Sequence, residues 1–235
     1  MSVTKRILLH GYTLGTVPQD NPLEESAARP RVFLLSPANA SGVRGKQLFS
    51  SHSRFELAQR LRETGASLGE IFSFISGLYF RGKLTYAKKF SSSASEAATI
   101  RIITPAAGLL PPSTLVTLEK LREITSGPVD PELASYRAPL DRDARELHSL
   151  LHAEAQVVLL GSIATTKYVG PLLEIFGERL VFPAEFVGRG DMSRGGLLLR
   201  ASRSGTPLSY IPLSGAQRTG GRPPKLKKLK IKKVK

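Results

Sequence analysis

Gln156-Val157-Val158-Leu159-Leu160-Gly161 is the stretch on which the reading of the fold turns. Its apolar residues follow one another without alternation, two are β-branched, and a glycine ends the run. A short segment that is apolar on both faces is a strand buried on both sides. Three further runs share this character. Arg31 to Ser36 reads Arg-Val-Phe-Leu-Leu-Ser, Thr99 to Thr104 reads Thr-Ile-Arg-Ile-Ile-Thr before Pro105, and Arg179 to Phe182 reads Arg-Leu-Val-Phe before Pro183. Leu208 to Leu213 is a candidate fifth strand, at an edge.

Between these runs the period changes to that of a helix. Helical patterns are predicted at 54–64 and 68–75. Another runs over 78–90, with Leu78, Leu84, Tyr86, Ala87 and Phe90 as its apolar residues. The next is predicted over 113–124, with Ser113 as N-cap. Residues 125–139 read as a proline-containing loop. The following helix is predicted over 140–155, where Ala144, Leu147, Leu150 and Leu151 share a face. One more is predicted at about 165–176, and a last begins near Asp191. Both-face apolar strands alternating with helices specify an α/β fold with a central, mainly parallel, four- to five-stranded sheet flanked by helices.

The chain has 235 residues, of which 41% are hydrophobic and 23% charged. That suffices for one packed domain, placed at 31–216. It follows an irregular arm over 1–30, broken by Pro18, Pro22 and Pro30, and precedes a basic tail over 217–235. No apolar run reaches the roughly 18 residues of a membrane span, so no membrane insertion is expected, and no signal-peptide core follows Lys5 and Arg6. The absence of cysteine excludes disulfides, thiolate metal sites and cysteine nucleophiles. A cytoplasmic setting is compatible with this. The net charge of +15 is uneven: Gln217 to Lys235 holds nine basic residues and no acidic one, which leaves a net +6 on the rest. The tail is expected to be disordered, because alternating Lys and Leu or Ile cannot bury enough apolar surface. A polyanion is the natural partner, DNA or RNA first and an acidic membrane surface second.

In parallel sheets ligands bind beyond the carboxyl ends of the strands. Those ends carry Ser36-Pro-Ala-Asn-Ala-Ser-Gly42, Thr104-Pro-Ala-Ala-Gly108, Gly161-Ser-Ile-Ala-Thr-Thr166 and Pro183-Ala-Glu-Phe-Val-Gly-Arg-Gly190. All are small, polar or Gly-rich, which suits close approach of a ligand, although tight turns need the same residues. Asn39, with Ser41, Arg44 and Lys46 after it and Ser36 before it as a phosphate-binding candidate, is placed to orient a water or read a base edge. Its alternative is an asparagine in a turn. Tyr79-Phe-Arg81-Gly-Lys83 interleaves cations with aromatics, a pattern that grips phosphates and stacks bases. Its alternative is a core face with a solvated charged face. Gly188-Arg189-Gly-Asp191-Met-Ser193-Arg194 offers helix-start N–H groups between two arginines, a phosphate cradle. Its alternative is an Asp191 N-cap in a glycine loop. Thr104 and Lys167 complete the candidate set. His148 and His152, four apart, have no third ligand, so a half-exposed helix edge and no metal is expected. No cofactor is expected either, because Ser193 stands where a dinucleotide fingerprint needs its third glycine and no acidic residue follows about 20 residues on.

The ordered motifs Ser36-Pro-Ala-Asn39, Tyr79-Phe-Arg-Gly-Lys83, Ile103-Thr104, Gly108-Leu-Leu-Pro-Pro, Val158-Leu-Leu-Gly161, Lys167-Tyr168 and Gly188-Arg-Gly190 resemble those of small bacterial proteins with a uracil-DNA-glycosylase-like α/β fold. These include the accessory domain of archaeosine-type tRNA enzymes. The resemblance spans about residues 31–200. It implies a three-layer sandwich with a nucleic-acid or nucleobase cleft at the strand ends, and places Asn39 in the loop that holds the water-activating residue of true glycosylases. The chain departs from that pattern in two ways. Asn39 lacks a Gly-Asp-Pro-like context, and no histidine sits in a strand-end loop as a His-Pro-Ser-like motif requires. The expectation is a nucleic-acid-binding protein, an enzyme of the glycosylase-like N-glycosidic hydrolase kind that excises or processes a base, with Phe80, Tyr79 and Phe186 as stacking candidates. Two alternatives remain: a non-catalytic DNA- or RNA-binding subunit of a larger complex with other proteins, and a nucleoside- or nucleotide-processing enzyme.

Overall fold

Val157 and Val158 pair with Val32 and Phe33 on one side and with Leu180 and Val181 on the other, all in parallel register. Around them a computed structural model describes residues 29–91 and 95–226. Residues 1–28 of the expected arm and 227–235 of the expected tail lie outside the described residues. The elements run β1 (Arg31–Leu35), α1 (Val43–Phe49), α2 (Glu56–Glu63), β2 (Ala66–Ser67), α3 (Leu68–Ser76), α4 (Leu78–Phe90), α5 (Glu96–Thr99), β3 (Ile100–Ile103), β4 (Leu109–Leu110), β5 (Leu115–Val116), α6 (Leu118–Ile124), α7 (Ala134–Leu150), β6 (Gln156–Leu160), α8 (Thr166–Phe176), β7 (Leu180–Pro183), α9 (Asp191–Ser204) and β8 (Tyr210–Pro212).

The main sheet has six strands in the order β4-β3-β1-β6-β7-β8. Its four inner strands are parallel, and β4 and β8 close the two edges antiparallel. This is the α/β architecture expected, a mixed sheet that is parallel within, but with six strands where four to five were expected, since β4 was not foreseen. The edges are antiparallel because the turn through Gly108 (φ +65°) folds the chain straight back along β3, and the chain after α9 returns along β7. A second, two-stranded sheet pairs β2 with β5. The residues of β1 and β6 are almost wholly buried, which is what continuous apolar runs require.

Three predicted helix boundaries move. The helix expected over 113–124 begins at Leu118, because Leu115 and Val116 are drawn into the pairing with Ser67 and Ala66. Thr117, not Ser113, is its cap and accepts from the Lys120 N–H at 3.3 Å. The helix expected over 140–155 spans Ala134–Leu150 with Pro139 inside it. Proline costs that helix one backbone bond. Tyr136 holds the early turns in place, fully buried with its hydroxyl donating to the Lys167 carbonyl at 3.0 Å. Helix α1 had no periodic signal in its seven residues; it forms as Gly45 packs against the Ala40 backbone and Leu48 enters the core.

After β1 the chain moves to β3 on one side, and after β6 it moves to β7 on the other. The loops leaving the adjacent ends of β1 and β6 therefore part company, which is the topological switch point at which such sheets bind ligands. Right-handed crossovers running in opposite directions also put α4 and α8 on opposite faces of the sheet. Helix α9 packs along α4, and α7 along α8.

Candidate functional site

A cavity of about 460 Å³ opens at that switch point. Its wall is the loop Pro37–Ser41 after β1, Pro105 after β3, the loop around Thr125–Val129, and Lys167 and Tyr168 in the first turn of α8. Strand-end loops meet here because the four parallel strands all point their carboxyl ends to this edge.

Asn39 is exposed, and its Oδ1 accepts from the Ser41 N–H at 3.1 Å and from Ser41 Oγ at 2.7 Å. A backbone N–H donor fixes that atom as the oxygen. The side-chain NH₂ is then the group left to meet a ligand, and it can only donate. Across the cavity, Lys167 is exposed and carries a full positive charge into the rim. Tyr168 is half-buried, and burial, with Asp191 nearby, pushes its phenol up to about 12. It is a neutral ring and hydroxyl at any working pH.

Beneath the same edge lies a second constellation. Lys83, on α4, is only 1% exposed, and its Nζ donates to the Ser36 carbonyl at 2.6 Å and to Ser36 Oγ at 2.8 Å. The ammonium lies 4.5 Å from the Tyr79 ring centre and 4.9 Å from that of Phe80. Burial lowers Lys83 to about 7, with Asp191 opposing and Arg194 adding to the shift. Burial also raises the Tyr79 phenol, against Arg194.

The remaining candidates fall in several places. Ser36 is buried against Lys83, and Thr104 is buried, closing its own turn by donating to the Gly108 carbonyl at 3.0 Å. Arg44 donates to the Phe74 carbonyl at 3.1 Å, and Lys46 is exposed in the last turn of α1. Tyr79 and Lys83 turn inward. Arg81, two residues from each and so about 200° around the helix, is exposed. The loop before α9 holds its own arginines: Arg189 donates to Glu185 O at 3.0 Å and Ser193 Oγ at 3.2 Å, and buried Arg194 donates to Phe186 O at 3.2 Å. Asp191 opens α9 and is 69% exposed on its side chain, 3.8 Å from Arg194. The stacking candidates Phe80 and Phe186 are fully buried and Tyr79 nearly so, because each packs into the core; none offers a face to a base. No group of three metal-ligating side chains occurs among the described residues.

The cavity thus unites Asn39, Ser41 and Lys167 of the expected set and adds Tyr168, Pro105 and the 125–129 loop. The strand-end rule named the loop 161–166, and Tyr168 lies just past it in the first turn of α8. The 125–129 loop comes after a helix, so that rule had no purchase on it.

No protein-family model, no curated protein and no solved structure matches the chain.

Proposed function

We propose that the chain is a nucleic-acid-binding protein that takes a single unpaired nucleotide into its strand-end cavity, where a glycosylase-like reaction on the base would occur. One observation carries the reading: the Asn39 amide, the Lys167 ammonium and the Tyr168 ring share one switch-point cavity of about 460 Å³. The amide donates to a base carbonyl, the ammonium pairs with a phosphate, and the ring meets a π-face. The net charge of +15 supports a polyanion as the carrier of that nucleotide. Extrusion of a base from a duplex costs a few kcal/mol, so an unpaired or mismatched base is the favoured guest. With its Oδ1 taken by Ser41, Asn39 serves better to read a base than to deprotonate a water.

The test is fluorescence anisotropy with labelled single-stranded DNA, single-stranded RNA and a duplex carrying one mismatch, alongside an assay for abasic product. Asn39→Ala and Lys167→Ala should each weaken binding about 5- to 150-fold, as the loss of one polar contact of about 1–3 kcal/mol does. Parental affinity in both variants would remove the cavity from the binding surface.

A further inference from the structure

Ser36 and Lys83 play no part in that binding reading, so a role for this pair stands or falls independently of it. Lys83 is a fully buried amine with no carboxylate in ion-pair range among the described residues; two aromatic faces and the two Ser36 oxygens surround it. Burying an ammonium costs several kcal/mol that a leucine or methionine would not. The sequence keeps it against Ser36, which stands where the central strand β1 ends, one residue before Pro37 of the cavity wall. Gly161, at the end of β6, puts bare backbone beside the serine: a Cβ there would come within 2.9 Å of Ser36 Cβ and 3.2 Å of Oγ.

We propose that Ser36 Oγ is a nucleophile toward ester-type acyl groups, with Lys83 Nζ as its general base. The 2.8 Å separation is the reach such a pair needs, and a serine hydroxyl is a weak nucleophile until an adjacent base takes its proton. The amine's value of about 7, set by burial and by the opposed charges of Asp191 and Arg194 on α9, makes the neutral, proton-accepting form available at neutral pH. As the Oγ–C bond forms at the acyl carbon, the hydroxyl proton passes to Nζ. The bond from the acyl carbon to the alcohol oxygen then breaks, and that oxygen leaves with the proton from Nζ. Water repeats the sequence: its proton goes to Nζ, its oxygen bonds to the acyl carbon, and Oγ departs with the proton, releasing the carboxylic acid.

The probe is a fluorophosphonate, applied to the full chain and read by intact mass and peptide mapping, with hydrolysis of a p-nitrophenyl ester in parallel. The expected result is one adduct, on Ser36, whose rate of formation rises with pH about a midpoint near 7. Ser36→Ala should take up none, and Lys83→Met, folded by circular dichroism, should label about 10²-fold or more slowly. An unlabelled Ser36 in the folded parent, or parental labelling of Lys83→Met, overturns the proposal. Should Lys83→Met not fold, the parent's own profile decides: a labelling rate flat from about pH 5 to pH 9 overturns it equally.

Discussion

Two buried cations face each other across the α4–α9 seam, and the protein treats them differently. Arg194 spends its guanidinium on the Phe186 carbonyl, through Nε at 3.3 Å and Nη2 at 3.2 Å, and keeps Asp191 nearby. Lys83 has Ser36 and two rings. The consequence is a dependence of stability on pH with a definite sign. In the unfolded chain Lys83 titrates near its ordinary 10.5, and in the fold near 7. Between those values the unfolded state holds the extra proton, so stability rises with pH across that window. Below about 7 both states are charged and the fold carries the whole desolvation cost; above about 10.5 neither is charged and the cost is gone. Lys83→Met removes the cost, so the variant should gain up to a few kcal/mol over the parent at pH 6, a gain that shrinks steadily toward pH 10. Urea unfolding at a series of pH values reads this directly, and a gain that does not vary with pH would show that the amine stays charged inside. In sequence Lys83 and Arg81 look alike, each a cation among aromatics. Helix phase separates them: Lys83 stands four after Tyr79 and three after Phe80, on the apolar stripe, while Arg81 stands opposite. That signal was present in the spacing. The partner of the amine was not, because Ser36 lies 47 residues away on another element.

At the scale of elements, helices α4 and α9 pack closely because of what two glycines lack. A Cβ on Gly82 would come within 2.8 Å of the Gly195 carbonyl oxygen, and one on Gly195 within 2.9 Å of the Leu78 carbonyl oxygen and the Tyr79 Cα. Helices α4 and α9 therefore touch backbone to backbone, and the seam sets the depth of Lys83, Tyr79 and Arg194. Gly82→Ala and Gly195→Ala each bring about 1 kcal/mol of helix propensity, but the clash is with rigid backbone and forces the helices apart. Each variant should be less stable than the parent by about 1–3 kcal/mol, in line with other overpacked sites. The double variant should lose less than the sum, since the first separation makes room for the second Cβ. Thermal unfolding of the three variants tests both points, and an alanine that stabilises would mean the helices part without strain. From the sequence, Gly82 reads as a place for close approach of a ligand backbone. The approach is real, but the backbone is that of α9, and a single sequence holds no sign of which helix will lie there. The strands were legible because both-face burial leaves a mark at every residue; β4, β5 and the move of α7 to Ala134 were not, because pairing and the anchoring of Tyr136 are made across the fold.

At the scale of the whole molecule, charge is segregated along the chain, and the structure shows where the basic end leaves the body. The segment 217–226, expected to be disordered, lies along the loop before α9. A Cβ on Gly188, whose φ is +69°, would come within 2.2 Å of the Gly221 carbonyl oxygen and 3.1 Å of that of Gly220, and one on Gly196 within 3.4 Å of Leu226 Cδ1. Arg189 Nη1 donates to the Pro224 carbonyl at 3.3 Å. The basic end is thereby tied to the start of α9. Asp191 there acts electrostatically on Tyr168 of the cavity, so this start lies toward the same edge of the sheet. Two truncations separate the anchored from the charged part. Removing 227–235 takes away six lysines and leaves the Arg189–Pro224 bond in place. Nonspecific affinity for DNA should fall, and the plot of log K against log salt should flatten by about 0.9 for each duplex phosphate that is no longer neutralised. Removing 218–235 also takes away the Arg189–Pro224 bond and the cover over Val187. That variant should lose a further 0.5–1.5 kcal/mol or so of stability, the usual net value of one hydrogen bond, which the shorter truncation keeps. Affinity at several salt concentrations and thermal unfolding of both variants give the two readouts independently. An unchanged salt slope after removal of 227–235 would place the polyanion surface on the body of the fold, and equal stability of the two truncations would show that the 217–226 segment rests on the loop without holding it.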